Sequence, residues 1–196
     1  MGRYTGSMSR LCKRVGVNIV GTPKFDAILA KHFSKRKRAR KPSEYALQLR
    51  EKQLARYMFG ISEKQFKKYF LKAHKSQGVT GAELLRNLER RADNVLYRAG
   101  IAVTRKDARQ MISHGHFELN GHKITIPSIL VEPEDILILR KKMETSPRYV
   151  GFSQATPLKW IKIDHKKKSL TIERLPEDDE LEQIINVQAI IEFYSR

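Results

Sequence analysis

The chain holds a single cysteine, Cys12, among 196 residues. That excludes an internal disulfide framework and any zinc site built from several cysteines, and it points to a reducing, intracellular compartment. Long apolar runs are missing too. No stretch of apolar residues exceeds four, against the about 20 that a membrane-spanning helix needs. The opening MGRYTGSMSR has no apolar h-region, and folded-looking sequence follows at once. Neither a secretory signal nor a transit peptide is therefore expected. There is no nucleophile elbow, Gly-rich phosphate loop or Ser/His/Asp pattern, so catalysis has no support and no cofactor is expected. Acidic charge is scarce as well. The chain has 21 Asp+Glu against 39 Lys+Arg, a net charge of +18 and a pI near 10.1.

What is present is a core and a charge imbalance. Apolar residues make up 40% of the chain, and a compact chain of this length buries roughly 70% of its unfolded surface. One or two domains are expected. The charge is unevenly spread. Residues 1–60 hold 15 basic and 3 acidic residues, residues 61–116 hold 12 and 5, and residues 117–196 hold 12 and 13. All the excess lies in the first 116 residues. Such self-repulsion is costly unless a polyanion quenches it. Nucleic acid fits, because each neutralised phosphate releases a counterion. Solubility alone needs a net magnitude of only about 2–8 in a small domain. An anionic membrane would need a basic helix with a broad exposed apolar face.

Residues 1–42 are rich in Gly, Lys and Arg and read as an extended basic arm ordered by its partner. Within it, Lys35 to Lys41 (KRKRARK) has six basic residues in seven. A nuclear-import signal is the alternative reading of that run. Pro42-Ser43 opens a helix that Gly60 stops. Ser62 with Gln65 starts a second helix, in which Phe66, Tyr69, Phe70 and Ala73 are ringed by Lys64, Lys67, Lys68, Lys72 and Lys75. Thr80 with Glu83 starts a third helix running to about Tyr97, with Arg86, Arg90, Arg91 and Arg98 opposite its apolar face. Thr104 with Asp107 caps a fourth, with Arg105 and Arg109 outward at i,i+4.

The apolar period then changes from 3.6 to 2. Phe117 and Leu119 lead into Asn120-Gly121, a strong hairpin signal, and Ile124 and Ile126 continue beyond it. Ile136 to Leu139 reads as a buried strand, residues 142–158 as a connector, and WIKID and SLTIE as a second hairpin. The acidic start near Glu177 precedes a short apolar helix.

Arg91, Arg98, Arg105 and Arg109 thus decorate two short helices. Ser113, His114, His116 and Asn120 occupy the corner that follows. Such an L-shaped pair can fork guanidiniums onto phosphates, while the helix start near Thr104 offers free N–H groups. Small polar groups can reach ribose hydroxyls, which suits a folded RNA with a shallow minor groove. A helix-turn-helix reading a DNA major groove is the sharpest competitor, but the second helix is short and ends in a hairpin. His114, His116 and His122 lack zinc-like spacing and a further Cys or carboxylate, so no metal is expected. Asp178, Asp179, Glu180 and Glu182 are explained by a helix macrodipole.

Four segments carry a resemblance: GRYTG with LCKRVGV; ARKPSEYALQLREKQ; TGAELLRNLERRADNVLYRAGIAVTRKDARQMISHGHFELNGHKITIPS; and INVQAIIEFYSR. Over nearly its full length the chain resembles the bacterial and plastid ribosomal protein S four family. The long block looks like the RNA-binding module named after it, which also occurs in pseudouridine synthases and tyrosyl-tRNA synthetases.

The resemblance implies an α+β fold. A helical domain (43–88, completed by 177–196) receives an inserted RNA-binding module (89–148), a two-helix L plus a small antiparallel sheet. Residues 149–176 would be a connector and hairpin packed with that module. It also implies a structural, non-enzymatic protein of the small ribosomal subunit. Such a protein binds 16S-type rRNA directly at a multi-helix junction and nucleates assembly of the subunit body. With ribosomal protein S five it contributes to translational accuracy, near where messenger RNA enters. The implied setting is the cytoplasm or the plastid stroma, with no membrane partner.

The implied RNA-binding set is Arg3, Tyr4, Arg10 and Arg14 in the arm; Arg50, Lys52, Gln53 and Arg56 around LREKQ; and Arg86, Arg90, Arg91, Arg98, Arg105, Arg109, Ser113, His114, His116 and Asn120. Two departures stand out. Some relatives carry a four-Cys zinc site in the arm, where this chain has only Cys12. The usual PGQHG-like stretch is replaced by KHFSKRKRARK, which keeps the positive charge. The rival classes are a DNA-binding regulator and an RNA-modifying enzyme. The enzyme would need a strand-rich catalytic domain, for which the helical, basic N-terminal residues leave no room.

Overall fold

The computed structural model describes residues 4–34, 42–154 and 158–195. Arg3 and the run Lys35 to Lys41 lie outside the described residues. The chain divides into two compact units, residues 1–84 with 182–196 and residues 85–181.

The first unit is helical. Its elements are α1 (Met8–Val15), α2 (Pro23–Ser34), α3 (Glu44–Met58), α4 (Glu63–His74), the first half of α5 (Thr80–Glu89) and α8 (Val187–Tyr194). The expected extended arm is thus corrected over its described part, which forms two helices. Leu11, Cys12 and Val15 are buried on α1 and Leu29 on α2, so the arm has its own apolar faces. Ser43 Oγ accepts the Ala46 N–H and starts α3; Ser62 Oγ accepts the Gln65 N–H and starts α4. Asn186 Oδ1 does the same for α8 through the Ala189 N–H. The C-terminal helix packs on α3, with Ile190 fully buried. Tyr194 stacks on Phe70 at 4.4 Å. At Gly81 a Cβ would stand 2.6 Å from Val187 Cγ1, so glycine permits that close approach.

One expected helix is two. α5 ends at Glu89, Arg91 is extended, and α6 spans Ala92–Arg98. The backbone here is spent on a distant loop. The Val131 N–H donates to Arg90 O at 2.9 Å, and the Ala92 N–H donates to Ile129 O at 2.8 Å. Those bonds replace helical ones, with no Gly or Pro to announce the break.

The second unit joins α6 and α7 (Arg105–Ser113) to an antiparallel sheet. Its strands are β1 (Phe117–Leu119), β2 (His122–Lys123), β3 (Ile136–Leu139), β4 (Ile161–Asp164) and β5 (Ser169–Ile172), in the order β2-β1-β3-β5-β4. Thr104 Oγ1 accepts the Asp107 N–H and caps α7. Asn120 (φ 50°) and Gly121 (φ 82°) form the two-residue turn between β1 and β2. β2 is shorter than the apolar alternation suggested, and Ile126 is exposed.

The hairpin β4–β5 does more than pack on the module. β5 pairs with β3, so residues beyond 148 complete the same sheet. Helices and sheet share one core, in which Val95, Met111, Phe117, Leu137, Trp160 and Leu170 are buried. The architecture is α+β. The acidic stretch near Asp178 forms a 3-10 turn, tied by Arg174 to Glu180 at 2.7 and 2.8 Å.

Candidate nucleic-acid interface

The arginines of the second unit are fixed from within. Arg91 is 2% exposed and forks onto Asp93, Nε to Oδ1 at 3.0 Å and Nη2 to Oδ2 at 2.9 Å. Arg109 donates to the same Asp93 Oδ2 from Nε at 2.8 Å and from Nη2 at 2.6 Å. Arg98 forks onto Glu89 at 2.8 and 2.5 Å. Asn94 Nδ2 also donates to Glu89, and Arg105 Nε donates to Asn94 Oδ1 at 2.7 Å. The Arg105 guanidinium lies 4.4 Å from the Tyr97 ring centre. Two buried carboxylates, Asp93 and Glu89, thus hold three arginines directly, and Asn94, itself bonded to Glu89, holds Arg105.

This arrangement corrects the expectation that all four fork phosphates. Arg91 is an internal brace, because a buried cation must be paired. Arg98 and Arg109 keep 18% and 24% of their side chains exposed, so they remain at the surface, pre-set in direction. Asn120 is also a brace. Its Oδ1 accepts the Ile136 N–H and its Nδ2 donates to Asp135 Oδ1 at 2.7 Å. Arg86 is engaged with Pro176 O and Asp178, and Arg90 with Val131 O and Glu132.

Around the corner after α7, Ser113 and His114 are exposed and His116 is half-buried. His116 Nδ1 lies 2.5 Å from the Tyr149 hydroxyl, and the His114 ring is 5.7 Å from that of His116. Burial, then the charges of His114 and Arg148, holds His116 below the ordinary imidazole range. Burial pushes the Tyr149 hydroxyl up to about 12. The pair is therefore neutral near pH 7 and offers hydrogen bonds rather than charge. Arg148 is ion-paired with Asp107.

Lys106 on α7, Lys123 beside Gly115, Arg148 and Tyr149 border the same corner, and the sequence pattern did not mark them. Lys106 and Lys123 are exposed. Lys106 stands between Arg105 and Arg109 in the sequence, and Lys123 follows the Asn120-Gly121 turn. Arg148 and Tyr149 fell in a stretch read as a connector, with no pattern to mark them.

In the first unit, LREKQ works as a latch for the C-terminal helix. Lys52, 6% exposed, donates to Glu63 Oε1 at 2.7 Å and lies 4.4 Å from the Phe193 ring centre. Arg56 donates to Glu63 Oε2 at 3.1 Å and Tyr194 to Glu63 Oε1 at 3.0 Å. Lys52 is thereby corrected from an RNA contact to a buried tie. Arg50 Nε donates to Val15 O. Gln53 Oε1 is buried with no partner among the described residues. Tyr4 and Arg10 are exposed, and Arg14 donates to the Tyr57 hydroxyl.

Burial alone would raise the Glu63 carboxyl. The Lys52 and Tyr194 hydrogen bonds and the charges of Lys52 and Arg56 bring it below its ordinary 4.5. A carboxyl depressed by folding stabilises fully above the unfolded value and loses that stabilisation as pH falls through the folded one. At neutral pH, Glu63→Gln is expected to cost on the order of 1–2 kcal/mol, discounted because Glu63 is 42% exposed. Urea midpoints should converge with wild type well below pH 4.5; a gap persisting there would mean that the charge plays no part.

The chain is thus an α+β protein in which a short antiparallel sheet with a two-helix corner of braced arginines is joined to a cationic helical unit. Residues 3–89 match the family model of the ribosomal protein S4/S9 N-terminal domain, and residues 90–137 match that of the S4 domain. The chain is similar to the small ribosomal subunit protein uS4 of Syntrophomonas wolfei, 43% identical over 211 residues and covering 100% of both chains. It is similar to the uS4 of Pelotomaculum thermopropionicum, at 41% over 209 residues, and to that of Persephonella marina, at 43% over 206 residues, again across 100% of each. The chain belongs to the uS4 family.

Proposed function

We propose that this protein is a structural, non-catalytic component of the small ribosomal subunit. It binds 16S-type rRNA directly, nucleates assembly of the subunit body and, beside ribosomal protein S five, contributes to translational accuracy near the path of messenger RNA. Its setting is the ribosome of a bacterial cytoplasm or a plastid stroma. The observation that carries this reading is the end-to-end likeness to relatives named small ribosomal subunit protein uS4. The excess of 19 positive charges in residues 1–116 supports it. No helix among the described residues is long and apolar enough to cross a membrane.

The RNA-facing set proposed is Tyr4, Arg10 and Arg14 in the first unit, and Arg98, Arg105, Arg109, Ser113, His114 and His116 at the corner, with Lys106 and Lys123 added. A competition between duplex DNA and a small-subunit rRNA junction fragment, at stated salt, tests the reading. Preference for the rRNA and co-sedimentation with small subunits after a high-salt wash are expected. Equal or tighter binding to duplex DNA overturns it. Lys106→Gln with Lys123→Gln should lower the slope of log affinity against log salt by up to about two. Their thermal unfolding should match wild type, because both side chains are exposed. An unchanged slope would show that these lysines are merely solvated.

A further inference from the structure

The outer face of α4 is charged in a way that folding does not explain. Lys64, Lys67, Lys68 and Lys72 lie on the helix and Lys75 is its C-cap. All five are exposed, and none is ion-paired with a described residue. The helix has one carboxylate, Glu63, which is spent on Lys52 and Arg56. Lysines 64 and 68, and 68 and 72, stand at i,i+4; lysines 64 and 67, and 72 and 75, stand at i,i+3. Like charges at those spacings destabilise a helix. The macrodipole favours Lys72 and Lys75 at the C-terminal end and opposes Lys64 near the N-terminus.

The face spans about 16 Å along the helix axis. It makes no ion pair among the described residues, and α4 packs through its other face, by Phe66, Phe70 and Ala73, all buried. Phe66 and Phe70 stack on Tyr194. Their burial also argues against a membrane surface, which needs that apolar face free; Leu71 is the one large apolar residue of α4 left exposed. A protein partner fits poorly, because lysine is depleted in protein–protein interfaces. Lysines are compact point charges that follow a phosphate backbone without reading bases.

We infer that the α4 lysine ladder is a sequence-independent track for an RNA phosphate backbone, built from residues other than those of the arginine corner. It rests on the RNA-binding reading above. The track holds its strand by counterion release, so it contributes affinity and salt dependence, while the corner contributes orientation.

The test uses the full chain. K64Q/K68Q/K72Q is compared with wild type and with a control, K162Q/K166Q/K167Q, which removes three exposed lysines from the β4–β5 hairpin. Affinities for the rRNA junction fragment and for an unrelated duplex RNA of equal length are measured from about 50 to about 200 mM salt, the range over which phosphate contacts dominate. Far-UV circular dichroism and thermal midpoints confirm that all three proteins fold alike. The α4 variant should lose about two to three from the salt slope on both RNAs. A slope equal to wild type, or a loss no greater than that of the control, overturns the track. So does an unchanged RNA slope accompanied by lost binding to phosphatidylserine vesicles, which would assign the face to a membrane. If wild type fails to prefer rRNA over duplex DNA while the α4 slope still drops, the proposed function fails and the track stands.

Discussion

Asp93→Ala is expected to destabilise the 85–181 unit by about 3–5 kcal/mol, because it removes the carboxylate that a buried cation is paired with. Asp93 is 2% exposed and accepts from two guanidiniums. Arg109, 24% exposed, can turn to water; Arg91, 2% exposed, cannot without opening the unit. The loss therefore falls mainly on Arg91. Replacing the buried pair by apolar side chains, as in Arg91→Met with Asp93→Leu, should recover most of it, since desolvation offsets much of a buried pair's attraction. Trp160, the only tryptophan, lies in the core of this unit, so its fluorescence in urea reports the effect directly. A loss of less than about 1 kcal/mol would show that Arg91 is satisfied without Asp93. RNA binding offers a second readout. Removing Asp93 makes the chain more positive, so a purely charge-driven interaction should tighten. If Asp93 aims Arg109, affinity for the rRNA fragment should instead fall in the variant even where it remains folded.

That contrast marks what sequence could and could not reveal. The caps at Ser43, Ser62 and Thr104 were legible because each bonds an N–H only three residues on. Asn120-Gly121 was legible because its turn needs two positive φ angles, which this pair tolerates. The expected hairpin of WIKID and SLTIE forms as β4 and β5. The missed features are non-local. The break between α5 and α6 is made by bonds to residues 129 and 131. The occupation of Asn120 by Asp135 and Ile136 depends on how β3 docks beside β1. A cationic side chain states that it wants an anion, not which one. For Arg91 that anion is Asp93, and for Lys52 it is Glu63. The arm was read from its Gly, Lys and Arg content, which hid the spacing of Leu11, Cys12 and Val15 on α1.

Trp160→Ala should cost about 3–5 kcal/mol, as large-to-small changes in a closed core do. Trp160 is fully buried and is among the largest side chains in the core of its unit. Its carbonyl accepts the Glu173 N–H at 3.1 Å, at the open end of the β4–β5 hairpin. Without the indole, the sheet loses packing where β5 continues the ladder from β3. Trp160→Phe should behave quite differently. The indole Nε1 is buried with no partner among the described residues, and an unpaired buried donor costs about 1–3 kcal/mol. Phenylalanine removes that donor while leaving a smaller void, so the two terms oppose and the net loss should stay below about 1.5 kcal/mol. Thermal midpoints by circular dichroism decide the matter. If both variants lose equally, the indole N–H has a partner, such as a bound water, and its burial is not a cost. If alanine itself is tolerated, β4 and β5 hold to β3 by backbone bonding alone, and this core contributes little to fixing the sheet that carries the arginine corner.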